Sequence, residues 1–510
     1  MPDPYLQFDP YPGTMNKHGN VQFNPQRMYN AWNRWDGDPN PPDPRWPAGL
    51  AVLQAIIAAA ENNNLSVRGL GGGWSLSDAA VSRDYMVDSK GLNYLKIGLD
   101  PSYCDPYFAN VSSQLIFAQC GISVLELNNN LEANDLALKT SGASNGQTIC
   151  GAVSTGTHGS GNQIGSMQDF VLGLHLVSAG GNHFWIEPQS RPAVTQAFCD
   201  HLGTTLIRDD DLFNAVRVSF GSFGLVHAVL FQATSIYLLD QFVQHFDYSQ
   251  VRNVIGTLDV SSLQLKGGTG LPYHFSLTVN PYAAGDGQKG AYVTWMFQRP
   301  FHPSPPPDQP VVTTVPGDEL LGVIGTLTDA VPGAIPAAVT ALLDSQLPEN
   351  LTGSLATPGQ TFAATNITTG GTSCELGVAI ADAPAAVDTV IQVAQQNPYA
   401  GAIALRFVPP SDALLAFTKF APYTCTIELV AVNSNRTRDA YNKIWDALEA
   451  KNIPHAFHWG QIARPSFQQL QGVFGDRVDR WLAARRKMLT TPKALATFSN
   501  DLLQSWGLDT

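Results

Sequence analysis

Two stretches of this chain are unusually poor in bulk: RGLGGGWSLSDA at residues 68–79 and SNGQTICGAVSTGTHGSG at residues 144–161. The second carries no charged residue and is built from glycine, serine, threonine and amide side chains, with one histidine, His158. Such backbone is used where main chain must approach something large, and its N–H groups supply donors without formal charge. The pair therefore predicts two neutral loops lining a groove for an extended, anionic small molecule. Neither loop is a Walker loop, since no Gly-Lys-Ser/Thr follows, and no apolar-periodic helix opens close behind Gly73 to make a Rossmann fingerprint. For the first stretch alone an ordinary glycine turn is an equal reading.

At 510 residues the chain exceeds the roughly 250–300 that one core supports, which predicts two domains and an extension. Hydrophobic residues at 44% and charged ones at 14% indicate a well-buried globular protein. The net charge of −13 argues against a nucleic-acid partner, which would want a basic stripe. The one basic cluster, RRKM from Arg485, reads as a solvated helix face. Six cysteines, at 104, 120, 150, 199, 374 and 425, are widely spaced with no CxxC, so neither a disulfide framework nor a metal site is expected. No signal peptide is visible in MPDPYLQFDP and no apolar run reaches about 18 residues, so a cytoplasmic location is the default; a mature secreted form with an added Met would look the same.

Along the chain, residues 1–45 read as an extended arm that wraps a neighbour rather than a packed layer. A helix is expected over 48–63, then short strands SVRGL, YMVDS and LIFAQC, and a hairpin in FVLGLHLVSAGGNHFWIEP turning at Gly-Gly-Asn. YHFSLTVN and AYVTWMFQ predict a second strand pair, PFHPSPPPDQP a break, and residues 319–346 a helical run interrupted by prolines. SCELGVAIA, AIALRFV and TCTIELVAV predict further strands, with helices at 384–396 and across RDAYNKIWDALEAKN. The expected class is α+β, with helices on one side of a sheet.

VRGLGGGWSLSDA, GQTICGAVSTGTHGSG and VRVSFGSFGLVHAV resemble the FAD-binding domain of the vanillyl-alcohol-oxidase type, nearest to its sugar-lactone and alditol oxidase branch. WNRWDGDPNPPDPRWPAGLAVLQAIIAAA upstream and FHWGQ near the end are similar to further segments of that branch. The likeness is close over residues 30–237, loose over 375–510, and one of placement only over 238–370. It implies a two-part FAD-binding domain, made by residues 46–237 and a returning segment 431–510, and an α+β cap with an antiparallel sheet over 238–430. FAD would lie in the groove, its diphosphate on the amides of Gly71, Gly72, Gly73, Trp74 and Ser75. Gly142, Gly146, Thr148, Gly151, Ala152, Ser154, Thr155, Gly156, His158 and Gly159 would lie along the cofactor, and backbone near Val226 would meet the adenine.

The departures from the family carry as much as the match. A histidine that often bonds covalently to the flavin is here Trp74, and SGASNGQT lacks the cysteine of the second family linkage; Cys150, nearby, reads as a small buried thiol. FAD is therefore expected to be noncovalent, with a lowered potential that leaves O2 or another electron acceptor open. Trp74 either packs on the dimethylbenzene edge or fills core. The family's Glu-x-Arg strand is here Ala404 and Arg406, and its Lys after His-Trp-Gly is Gln461. Arg406 is expected to be paired in the pocket, with a surface position as the alternative. Glu375, Glu428 and His458 are the candidates to take the substrate proton, the two carboxyls with pKa values raised by apolar flanks. The solvent face for either Glu, and a structural role for His458, are the competing readings. Arg406 would orient the substrate; Gln461 and Thr148 would hydrogen-bond near it. Tyr273, Phe275, Tyr292, Trp295 and Phe297 form an aromatic stripe that is core by default and implies a partly apolar substrate if it lines the pocket. The implied activity is oxidation of a CH–OH group in an alcohol, polyol or lactone by hydride transfer to FAD. A non-redox FAD protein, carrier or cyclase, is the alternative, favoured by the losses at 404 and 461.

Overall fold

The computed structural model describes residues 5–8, 12–33, 45–142, 144–303, 332–351, 354–363 and 370–510. The break after 303 and much of the proline-interrupted run lie outside these residues; the run's end forms a helix at Ile335–Gln346.

Three sheets organise the chain. The first contains β1 (Tyr5–Phe8), β2 (Arg27–Trp32), β3 (Val67–Leu70) and β4 (Tyr85–Gly91) in the order β1-β2-β4-β3. β2 runs parallel to β4, so this part of the first 45 residues is a strand of a packed layer, not a wrapping arm. Tyr29 and Ala31 of β2 join the main core because alternate positions on a strand face the same side. The second sheet holds β5 (Leu95–Ile97), β6 (Leu115–Gln119), β7 (Val171–Val177), β8 (His183–Glu187), β9 (Thr205–Arg208) and β10 (Leu225–Gln232), in the order β9-β8-β7-β10-β6-β5. β7 and β8 are the expected hairpin, pairing Val177 with His183 across Gly-Gly-Asn. Helix α1 (Arg45–Asn63) packs Val52, Leu53, Ile56, Ile57 and Ala60 into the same core.

The third sheet has eight strands: β11 (Tyr237–Phe246), β12 (His274–Val279), β13 (Ala291–Pro300), β14 (Ser354–Ala356), β15 (Gly371–Ala379), β16 (Gly401–Val408), β17 (Thr424–Val432) and β18 (Ala456–Phe457). Their order is β14-β11-β13-β12-β16-β17-β15-β18, with every pairing antiparallel. Its two faces differ in chemistry. One presents Phe275, Leu277, Trp295, Phe297, Leu405, Ile427 and Leu376 to helices at Tyr248–Thr257, Ala383–Gln396 and Asn435–Ala450. The aromatic stripe is thus largely spent on core: Phe275, Trp295 and Phe297 all lie there, Tyr292 sits in a smaller cluster with Ile335 and Val339, and Tyr273 packs at another beside Tyr237. The opposite face carries the alternate residues, among them Ser276, Thr278, Arg406, Thr426, Glu428, Ser373 and Glu375.

After β18 the chain returns to the first core, to which Trp459, Phe474, Trp481 and Trp506 belong. Arg485 is not on a solvated face. It is fully buried and donates to the carbonyls of Ser222 (3.0 Å), Asp509 (2.6 Å) and Leu495 (2.8 Å). Five donors in a fixed fork let one arginine tie three chain segments together. Among the described residues no helix is long and apolar enough to cross a membrane, no group of acidic, His and Cys side chains suits a metal, and all six cysteines are free and buried.

A buried hydrogen-bond chain crosses the second sheet. The Tyr94 N–H (2.9 Å) and Asn33 Nδ2 donate to Gln119 Oε1, which turns the Gln119 amide nitrogen toward His227 Nε2 (2.8 Å). His227 Nδ1 then donates to His175 Nδ1 (3.2 Å), and His175 Nε2 to His183 Nδ1 (3.1 Å). Each ring is neutral in this scheme, and an added proton would set donor against donor. Burial drives the His227 pKa down to about 3, and does the same for His274 in the third sheet. The unfolded chain takes up these protons near pH 6.5, so their contribution to stability is complete above that pH and is lost below it. Urea unfolding at pH 7, 6 and 5 is expected to show stability falling by about 1.4 kcal/mol per pH unit for each such histidine below pH 6; a flat profile would mean that these rings are not held neutral.

Candidate active site

The first glycine-rich stretch leaves β3 as an irregular loop in which Gly73 takes a left-handed backbone, φ +70°. Gly73 has no Cβ to oppose that conformation. The second stretch is not a plain loop. Thr148 caps a short helix, α2 (Ile149–Thr155), accepting the Gly151 N–H, and Gly156 ends the helix in the left-handed region, φ +86°. The β-branched and small residues of ICGAVST pack one side, Ile149, Ala152 and Val153, into the main core. They leave Gly151, Ser154 and Thr155 facing a groove.

That groove is elongated, with a void of about 1680 Å³ including its open mouth. Its walls include Gly71, Gly72, Gly73, Trp74, Ser75, Thr148, Gly151, Ala152, Ser154, Thr155, His158 and Val226, all expected from sequence. Four expected residues stand behind the wall instead. Gly146 lies flat beneath the Trp74 indole, where a Cβ would come within 2.0 Å of the ring. Gly159 is pressed on Thr140, Gly142 on Thr157, and Gly156 closes the helix. Gly146 lets the two loops meet, and none of the four lines the void. Trp74, its edge also met by His18, lines the groove and is not core. Cys150 lines it as a protonated thiol, its pKa pushed well up by burial and by neighbouring Cys120.

The groove wall suits FAD on two observations. Among the described residues the N–H groups of Gly72, Gly73, Trp74 and Ser75 make no backbone hydrogen bond, and all four residues line the groove. Two buried amide oxygens on the wall, Gln147 Oε1 and Gln461 Oε1, likewise lack a protein partner. Buried polar groups are rarely left so. Arg406 is the sole Lys or Arg on the described wall, so a diphosphate there would be met by main-chain amides.

At one end of the groove five side chains expected from sequence, Arg406, Glu375, Glu428, Gln461 and His458, converge with His158 and Ser373. The sheet register explains how. Ala404 of β16 sits opposite Glu428 of β17, which sits opposite Glu375 of β15. Two like charges directly across a strand pair are destabilising unless something lies between them. Arg406, one pleat along from Ala404, supplies it: Nη1 donates to Glu428 Oε2 at 2.7 Å and to Glu375 Oε1 at 3.3 Å. Gln461 Nε2 bridges the same pair, 3.3 Å from Glu375 Oε2 and 3.1 Å from Glu428 Oε1. Ser373 Oγ adds a donor to Glu428 Oε1 at 3.1 Å.

The expectation of raised carboxyl pKa values fails at Glu375. Burial alone would raise it, but His158, 3.0 Å away, and Arg406 outweigh burial and hold this carboxyl well below the usual range. Burial would likewise lower the Arg406 pKa, but Glu428 and then Glu375 raise it. Both ring nitrogens of His158 face acceptors, Glu375 Oε1 and the Gly159 carbonyl at 3.1 Å. The result is a bonded row, Glu428, Arg406, Glu375, His158. Sequence reasoning placed His158 with the cofactor alone, because nothing in the chain order reveals that residues 217 apart share a hydrogen bond.

His458 is a donor at this site, not a proton acceptor. Its Nδ1 accepts the Gly460 N–H at 3.0 Å, which leaves the ring proton on Nε2. Burial pushes its pKa down to about 4, with Glu375 opposing, so it is neutral at pH 7. The segment that carries it is stitched to the glycine loop: Leu76 N–H donates to Gly460 O (2.7 Å), Ser75 Oγ to the same carbonyl (3.1 Å) and Ser77 Oγ to Trp459 O (2.6 Å).

Comparison with known proteins agrees with this geometry. Residues 45–187 match the family model described as FAD binding domain. L-gulono-1,4-lactone dehydrogenase of Mycobacterium tuberculosis is 26% identical over 258 residues, 50% of each chain. L-gulonolactone oxidase of Scyliorhinus torazame is 27% identical over 214 residues, 42% of this chain and 41% of the relative. The matches thus span half or less of these curated relatives. Among solved structures, cholesterol oxidase from B. sterolicum superposes with a TM-score of 0.69 at 11% identity, covering 99% of this chain and 98% of that one. 6-Hydroxy-D-nicotine oxidase from Arthrobacter nicotinovorans gives 0.61 at 13% identity, with 98% of each chain covered. The match over residues 45–187 gives this chain an FAD-binding domain, with FAD as its cofactor, and the superpositions show that the whole chain shares the fold of these solved structures.

Proposed function

We propose that this protein is an FAD-dependent oxidoreductase that oxidises a CH–OH group of an alcohol, polyol or lactone-type substrate to a carbonyl, with its flavin held without a covalent bond. The observation that carries the reading is the charged array at the end of a groove otherwise lined with neutral donors. FAD, when bound, supplies a two-electron acceptor. The chain's residues do the rest. Arg406 is already neutralised by two carboxylates, and the described wall offers no other Lys or Arg, so the site suits an uncharged substrate better than a carboxylate. The His458 Nε2–H and the unpaired Gln461 Oε1 are a donor and an acceptor with which to orient a hydroxyl. The relatives named as acting on lactones support the same substrate class. The non-redox alternative rested on the carboxylate missing at 404 and the lysine replaced by Gln461. Glu428, opposite Ala404 and bonded to Arg406, takes away only the first of these reasons.

Trp74 has no nitrogen able to form the histidyl linkage, so acid precipitation of the yellow protein is expected to release the colour to the supernatant; colour staying with the pellet would refute a noncovalent flavin. Under anaerobic conditions at least one member of a panel of alcohols, polyols and aldonolactones is expected to bleach the flavin band, while the matching aldonates do not. A flavin that no member reduces would sink the oxidoreductase reading, and reoxidation by O2 or by a dye then identifies the class of acceptor. Arg406→Ala leaves two ionised carboxylates face to face in a buried row. It is expected to lose about 3–5 kcal/mol in urea unfolding at pH 7; a loss under about 1 kcal/mol would mean the array does not hold the sheet together.

A further inference from the structure

We infer that Glu428 is the catalytic residue that accepts the substrate hydroxyl proton, and that Glu375 is a positioning residue acting through Arg406 and Gln461. This rests on the oxidoreductase reading of the same site.

Four candidates surround the end of the groove, and the geometry separates them. Glu375 has only 2% of its side chain exposed, against 13% for Glu428. Both oxygens are engaged on each carboxylate, on Glu428 by Ser373, Gln461 and Arg406 and on Glu375 by Gln461, Arg406 and His158, but it is Glu375 that His158 and Arg406 hold well below the usual carboxyl range. A carboxylate held so firmly ionised is a weak proton acceptor. His458 has its free lone pair occupied by the Gly460 N–H and its proton on the other nitrogen. His158 has no open nitrogen, since each faces an acceptor. Glu428 remains: it lines the groove, is the most exposed carboxylate of the array, and keeps one cationic contact, Arg406.

Position supports the same assignment. On the strand Gly401–Val408, the residue two before Arg406 is Ala404, buried and without a polar group. Its cross-strand partner is Glu428, on the same face, and it is Glu428 that lines the groove. Directly opposed residues lie about 4.5–5.5 Å apart at Cβ, so Glu428 supplies a carboxylate beside a position that has none. Ser373 and Gln461 donate to Glu428 Oε1, and Arg406 to Oε2, which fixes the carboxylate plane.

The proton step balances simply. The substrate O–H bond breaks, its electron pair stays on oxygen, and the proton adds to a Glu428 carboxylate oxygen. The accompanying two-electron oxidation at carbon is the part for which FAD is the oxidant. The proton then leaves from the array's most exposed carboxyl.

The test uses the FAD-loaded protein and its Glu428→Gln and Glu375→Gln variants. Each is mixed anaerobically with an alcohol or lactone that reduces the wild-type flavin, and bleaching is followed across pH. The apoproteins are titrated with FAD in parallel. Glu428→Gln is expected to slow reduction by about 100-fold or more and to erase its rise with pH, while FAD affinity stays within about threefold. Glu375→Gln is expected to keep that rise, at a lower rate. Reduction of Glu428→Gln within about fivefold of wild type, or a pH rise abolished in Glu375→Gln and kept in Glu428→Gln, would overturn the assignment. Should Glu428→Gln not fold, Glu428→Asp decides: a slower rate with the pH rise retained supports the assignment, and an unchanged rate overturns it. A wild type that binds FAD yet is reduced by no substrate fails the functional reading; a reducible wild type with an equally reducible Glu428→Gln fails this assignment alone.

Discussion

One guanidinium stands between two carboxylates that the sheet register forces to face each other, and most of the site follows from that. Glu375 and Glu428 are opposite residues on neighbouring strands, so without Arg406 the row would carry two adjacent buried negative charges. A buried ion pair is costly to form and costlier to break, since removing one member strands the other in low dielectric. With Arg406 in place the two charges are separated, and one carboxyl is more deeply buried than the other. The division of labour between two chemically identical side chains comes from their neighbours rather than from their own chemistry.

The eight-stranded sheet makes this possible by keeping its faces apart. Alternation sends Phe275, Leu277, Trp295, Leu405 and Ile427 to the helices, where they build an apolar core. The same alternation leaves Ser276, Thr278, Thr426 and the charged row on the other side. An aromatic stripe read along one strand is core by default, and in the sheet it is core, packed against the helices, while the groove side carries the polar row.

The groove joins what the chain order separates. Hydrogen bonds from Ser75, Leu76 and Ser77 to the carbonyls of Trp459 and Gly460 lock the cofactor loop to the segment that bears His458 and Gln461. Arg68, in strand β3 just before that loop, is fully buried and donates to the carbonyls of Phe220, Ala79 and Phe498. With Arg485 it pins the C-terminal helices onto the first domain. Four main-chain N–H groups are thereby held in one place relative to the charged row, which is the alignment a groove-bound flavin and its substrate require.

Sequence by itself determined many of the strands, the hairpin, the helices over 48–63, 384–396 and 438–452, the glycine loop and the residue types at the groove's end, because periodicity and the demands of a crowded backbone are local properties. It also marked Trp74 and Ala404 as departures, which needs only identity at a position. It could not tell groove glycines from packing glycines, since Gly146 under an indole and Gly72 facing the void differ only in what the fold brings against them. Nor could it distinguish the buried Arg485 from a solvated one, or rank Glu375, Glu428, His158 and His458. Protonation and tautomer depend on partners tens to hundreds of residues away in the chain, and only the tertiary structure decides which acceptor each nitrogen meets and which carboxylate keeps an open face.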